Sequence, residues 1–237
     1  MTDRLKEYVG PLDATTVADG INAANRNARR LASDARLLLE AERYPSAAAL
    51  AALAIEESGK AAILRGLALV TSSDKLRSEW RRYRDHRSKN GAWITPDLVA
   101  KGARRLHHFR DVVEREGEHT ALLNTIKQLG LYTDCYRQGY WSEPSVVVDH
   151  ELAGGLVGIA EVLCDRKDVT TREIELWVEH LGPVWETPEM PHALLRWATA
   201  MYVEGLTDAP PENFARFVFG ELGTNHWKTN RGRSQPA

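Results

Sequence analysis

The run Trp80-Arg81-Arg82-Tyr83-Arg84-Asp85-His86-Arg87-Ser88-Lys89 sets one histidine among four arginines and a lysine. A histidine surrounded by cations is favoured in its neutral form, the form that serves as a general base. Here the natural proton to take is that of a ribose 2′-hydroxyl, with an adjacent arginine holding the scissile phosphate and stabilising charge on its oxygens. Read as one helix, the run puts His86 at the edge of the Leu76/Trp80/Tyr83 stripe and Arg82 on the same side. Arg81 is then about 140° away, within reach only through a bend or from a second chain. Arg84, Arg87 and Lys89 are further candidate phosphate ligands. The alternative is a boundary histidine that only packs.

The charge distribution points the same way. Formal net charge is −2, yet residues 75–110 contain eleven Lys or Arg against Glu79, Asp85 and Asp97, a local +8 that leaves −10 for the rest. Concentrated positive charge attracts a polyanion where a uniform coat is absent. A solvated helix face is the simpler account of the same pattern.

A second anomaly lies upstream. Glu57 projects from the Leu50/Leu53/Ala61/Leu64 stripe, where a carboxylate needs a partner. Lys60, at i+3, is one; Arg82 or Lys89 would be another. A bridge that fixes helix register is preferred to direct catalysis by Glu57.

Helices must position these groups. Val17, Ile21, Ala24, Ala28, Leu31, Ala35 and Leu38 recur in steps of four and three, predicting a long helix over residues 13–43 with Asp13 at its N-cap. The same heptads would suit a coiled-coil dimer, although the inside of a bundle needs them equally. Pro45 marks the stop and Ser46 a cap for a second helix to residue 70, completing an antiparallel hairpin. A third helix starts at Ser72–Asp74 and ends near Gly91, a fourth runs from Asp97 past Val113, and a fifth covers residues 120–129. Residues 139–144 read as an aromatic loop, with Tyr140 and Trp141 placed either to stack on an unpaired base or to pin the loop to the core. Shorter helices follow over 146–164, 171–181, 193–205 and 212–222, then a frayed tail. The expectation is an all-α bundle over residues 1–144 with a smaller helical region over 145–237.

Three ordered blocks carry a family resemblance. Tyr44-Pro45-Ser46-Ala47 through Glu56-Glu57-Ser58-Gly59-Lys60 is similar to the "Y-x-x-A … E-E-x-G-K" helix of AbiV-type HEPN proteins of bacterial antiphage defence. Trp80, His86 and Lys89 follow as its "W…H-x-x-K" segment, and Lys127 to Asp134 with Trp141 and Pro144 form the third block. The resemblance covers about residues 14–144. It implies a helical bundle that dimerises, an R-x4-H motif (Arg81 and His86) facing its twin across a cleft, and metal-independent RNA cleavage leaving a 2′,3′-cyclic phosphate. It implies abortive phage infection and translational arrest as the setting, with Tyr132 and Asp134 lining the cleft and Glu57 and Lys60 in support. No cofactor and no metal is expected. Expected partners are RNA (tRNA, rRNA or mRNA), a second copy of the chain, and an antitoxin or phage-encoded activator. Arg82 stands where the family usually has Asn, Asp or His. A HEPN module that only binds RNA, a nucleotide or a partner protein through the basic groove is the alternative.

Composition bounds the rest. With 43% hydrophobic and 27% charged residues the 237-residue chain reads as globular. Cys135 and Cys164 make no metal or disulfide framework, the opening residues do not read as a signal peptide, and no apolar run spans a bilayer. A soluble cytoplasmic protein is expected. A dimetal carboxylate bundle built on the two E-x-x-H runs ending at His119 and His192 is disfavoured, because Gly117 and Pro191 interrupt them.

Overall fold

Asp13 opens the first helix, its Oδ1 accepting from Thr16 N–H at 2.7 Å. The structure, a computed structural model, describes residues 6–113 and 118–220. Helix α1 (Ala14–Glu40) buries the heptad stripe of Val17, Ile21, Ala24, Ala28, Leu31 and Ala35 inside the chain's own core. Pro45 stands in the first turn of α2 (Tyr44–Leu67), where no N–H is required of it. Proline therefore opens this helix, and Ser46 is not its cap.

Helix α2 is the axis of the molecule. Ala47, Ala48, Ala49, Ala51, Ala52 and Ala54 are all fully buried, and Leu50 and Leu53 between them are partly buried, so little of the helix faces solvent over these turns. Small side chains let neighbours close on it from several sides: α1, α3 (Ser73–Arg84), α5 (Glu118–Leu131) and α7 (His150–Cys164) all pack against it. One apolar cluster joins α1, α2, α5 and α7, including Leu123, Leu156, Val157 and Leu163, and is continuous across residue 144. Shortening one of these side chains to alanine costs about 2–5 kcal/mol.

Three expected elements take other forms. Helix α3 ends at Arg84, because Asp85 is extended (ψ 128°) and its carboxylate accepts from Ser88 N–H at 2.8 Å and Ser88 Oγ–H at 2.7 Å. A short acidic side chain that bonds forward offers the backbone an alternative to another helical turn. A 3-10 turn follows at Arg87–Lys89. The expected long fourth helix is only α4 (Thr95–Ala100), broken at Gly102 (φ +97°) and followed by 3-10 turns at Leu106–Val113. The aromatic loop is a small antiparallel hairpin, β1 (Asp134–Tyr136) and β2 (Tyr140–Ser142), with Cys135 opposite Trp141 and Tyr136 opposite Tyr140. The fold is otherwise helical, as expected.

Beyond the hairpin lie α6 (Pro144–Val147), α7, α8 (Thr171–Leu181), α9 (Met190–Val203) and α10 (Pro211–Phe219). Helices α8 and α9 join the end of α2 through an apolar cluster of Leu69, Leu181 and Ala193 with Trp177 and Trp197, and Trp177 Nε1–H donates to the Arg65 carbonyl at 3.1 Å. The tail after residue 220, and Glu116 and Gly117 of the first E-x-x-H run, lie outside the described residues. Among the described residues no helix is long and apolar enough to cross a membrane.

Candidate functional site

Helix α2 carries a carboxylate into the interior one position before the one read from the sequence. Glu56 is 3% exposed, and it meets groups from two other parts of the chain. Its Oε1 accepts from the Lys127 ammonium of α5 at 2.6 Å, and its Oε2 lies 2.7 Å from His86 Nδ1. Lys127 is itself 5% exposed, so this is a buried ion pair. Losing either partner strands a buried charge, which costs about 3–5 kcal/mol.

The end of α3 makes the second of these contacts possible. Because the helix stops at Arg84, His86 leaves the helical phase and turns its Nδ1 edge toward Glu56, with the side chain still 60% exposed. The immediate neighbour of the imidazole is thus a carboxylate, where a cluster of arginines was expected. The 3-10 turn after His86 then folds Lys89 inward to 6% exposure. The approach is close: a Cβ on Gly59 would lie 2.1 Å from the Lys89 carbonyl oxygen. Only glycine fits there.

The Lys89 ammonium makes no hydrogen bond or ion pair among the described residues. Burial pushes its pKa down; Glu56 and Glu57 act against this, and Lys60 and Lys127 add to it. Glu57 pairs with Lys60 at 2.5 Å, as expected, and Lys60 also lies over the Tyr83 ring, 5.3 Å from its centroid. The cluster thus gathers Lys60, Lys89 and Lys127 around two carboxylates, with the His86 ring at its mouth. This is an excess of one positive charge with His86 neutral.

The arginines separate into used and unused. Arg82 donates twice to Glu79, at 2.6 and 2.8 Å. Arg84 packs over Trp80, donates to the Tyr8 carbonyl at 2.6 Å and pairs with Glu7 at 3.1 Å. Arg81 is exposed in the last turn of α3, and its guanidinium has no partner among the described residues. The Arg87 side chain lies outside the described residues. Other cations of the basic window are also engaged: Lys75 with Glu186, Arg77 with Asp74, Lys101 with Asp97.

Tyr132 is 60% exposed beyond the end of α5. Asp134 is engaged in the hairpin, its Oδ1 accepting from Cys135 N–H and its N–H donating to Ser142 Oγ. Tyr140 and Trp141 are 60% and 66% exposed, so the hairpin tip is not pinned to the core. Among the described residues no group of three or more His, Cys, Asp or Glu is placed to hold a metal ion.

Glu56 and Lys127 are the residues that sequence reasoning missed. A partial signal was present: each is a charge with buried apolar neighbours on its helix, Ala52 and Ile55 beside Glu56, Leu123 and Ile126 beside Lys127. Two such charges of opposite sign on different helices call for each other.

Comparison with known sequences agrees with the motifs. Searches of curated proteins and of solved structures return no match. The family model for AbiV, of the HEPN type, matches residues 16–165, from the first turn of α1 to the end of α7, and so takes in Glu56, Gly59, Arg81, His86, Lys89 and Lys127. The chain belongs to the AbiV family of HEPN proteins, the abortive-infection group.

Proposed function

We propose that this protein is an antiphage effector that cleaves RNA, with His86 as general base and Arg81 as the phosphate ligand. One observation carries the reading: an exposed imidazole anchored at 2.7 Å to a buried carboxylate, five residues after an arginine with no partner among the described residues. Anchoring at one nitrogen leaves the other edge of the ring for substrate. In the reaction His86 takes the proton of a ribose 2′-hydroxyl. The 2′-oxygen bonds to phosphorus, the bond to the 5′-oxygen breaks, and that oxygen leaves with a proton from water. Arg81 neutralises charge on the phosphate oxygens, and Lys89 supplies the surplus cation of the cluster. Arg82 and Arg84 are committed within the chain and act in support of the fold. The active form is a homodimer, two such sites facing each other, and its substrate is a cellular RNA.

The test compares wild type with His86→Ala, Arg81→Ala and Arg82→Ala on total cellular RNA and tRNA in EDTA, mapping the cleaved ends. Wild type should leave 2′,3′-cyclic phosphates. His86→Ala and Arg81→Ala should each lose about 10²–10⁴-fold in rate, the share of a base or a charge-stabilising donor. Arg82→Ala should keep most of it. If wild type cleaves nothing, even with phage lysate added as a source of activator, the chain acts by contact and the nuclease reading falls.

A further inference from the structure

A histidine acts as a base only through a nitrogen that lacks a proton, and the partner of the other nitrogen decides which one that is. Glu56 makes that decision for His86. Its Oε1 is occupied by the Lys127 ammonium at 2.6 Å, and its Oε2 faces His86 Nδ1 at 2.7 Å. A carboxylate has no proton to give, so Nδ1 must donate, and the neutral ring then carries its free lone pair on Nε2. Burial supports the same orientation: the carboxylate side chain is 4% exposed and the imidazole 60%, so the tethered edge faces the interior and the other edge faces solvent.

We propose that Glu56 is the positioning residue of His86: it selects the Nδ1–H tautomer and presents Nε2 as the basic nitrogen. The consequence for cleavage, that Nε2 takes the 2′-hydroxyl proton, rests on the nuclease reading above; the tautomer does not.

Lys127 makes the proposal sharply testable, because an ammonium only donates. In Glu56→Gln the amide oxygen must face Lys127, which turns the NH₂ group toward His86. That group donates to Nδ1, the single proton of the neutral ring moves to Nε2, and the basic nitrogen is lost from the solvent side. The side chain keeps its size and both hydrogen bonds, while one of them is reversed in direction.

The experiment is ¹⁵N NMR of the full chain labelled at histidine, without RNA and at alkaline pH where the ring is neutral, the His86 signals being identified by their loss in His86→Asn. Wild type should show Nδ1 protonated and Nε2 as the acceptor; Glu56→Gln should show the reverse and lose about 10²–10⁴-fold in RNA cleavage, the contribution of a general base. Glu56→Asp, which keeps a carboxylate, should retain the wild-type tautomer. Wild type with the proton on Nε2 overturns the proposal with no variant needed, and so does Glu56→Gln that keeps it on Nδ1. Wild type with the expected tautomer but no cleavage of any RNA overturns the nuclease reading alone.

Discussion

Lys89 shows what the site asks of a single side chain. The residue is 6% exposed, its ammonium makes no hydrogen bond or ion pair among the described residues, and desolvation is the main reason its pKa falls. Such a group opposes folding unless an anion joins it. The sign follows from linkage. Below its folded-state pKa the lysine is charged in both states and the penalty is complete. As pH rises through that value toward 10.5, the folded state sheds the proton first and stability recovers. Cys164 works in the opposite direction: burial pushes its thiol up from 9.0 to about 11, so stability falls as pH passes from 9 to 11. Wild type alone would show the two effects superimposed. Lys89→Met isolates the first, since Cys164 is common to both proteins. We expect the variant to be more stable at pH 7 by about 1 kcal/mol, the low end of the gain seen when buried ion pairs become apolar, because solvent still reaches the ammonium. Urea titrations at several pH values should show this gain shrinking toward pH 10.5, with RNA affinity lost at pH 7. A variant less stable than wild type at pH 7 would mean that Lys89 is a structural cation.

At the scale of elements the site depends on how closely two segments approach. Gly59 of α2 faces the turn at Arg87–Lys89, and a Cβ there would sit 2.1 Å from a carbonyl oxygen that cannot swing away like a side chain. Gly59→Ala must therefore displace the turn that carries Lys89 and follows His86. The expected cost is about 1–3 kcal/mol, as for other overpacked interiors, with cleavage falling further than stability alone explains. Thermal melts and single-turnover rates on the same preparation separate the two. Gly130→Ala is the control: it crowds the Pro45 carbonyl at 2.7 Å, where α5 meets the start of α2, and should lower stability while His86 keeps its anchor. The same contact explains why the site was only partly legible in the sequence. Periodicity locates α1 and α2 because a stripe of six or seven apolar residues is a strong signal. It fails at Asp85, where one carboxylate bonding to Ser88 ends α3 about seven residues early and moves His86 out of helical register. Glu57 and Lys60 were legible as an i+3 pair within one helix. Glu56 and Lys127, 71 residues apart, were legible only as charges with apolar neighbours and not as a pair, because nothing local announces which buried charges meet.

Over the whole molecule the charge balance predicts how RNA binding responds to salt. Residues 75–110 carry a surplus of +8, which by itself would form a broad basic surface. Three carboxylates from outside that window reduce it: Glu7 on Arg84, Asp74 on Arg77 and Glu186 on Lys75. Among the described side chains, the cations left at the site are Arg81, exposed, and Lys89, recessed. Each phosphate neutralised on a single strand contributes about −0.7 to the slope of log affinity against log salt, so a dimer using these two from each chain gives about −3. That is roughly a 60-fold loss between 50 and 200 mM salt, against several thousand-fold if the full surplus of even one chain were engaged, with a slope near −6. Fluorescence anisotropy with a short single-stranded RNA and the inactive His86→Ala protein measures the slope directly. A value near −3 that falls to about −1.5 in Arg81→Ala supports a compact site reading one or two phosphates per chain, where the cut is set by the position of one imidazole. A slope near −6 that survives Arg81→Ala would instead place RNA along α3 and the turns after it, and the ion pairs at Arg77, Arg84 and Lys75 would have to open on binding.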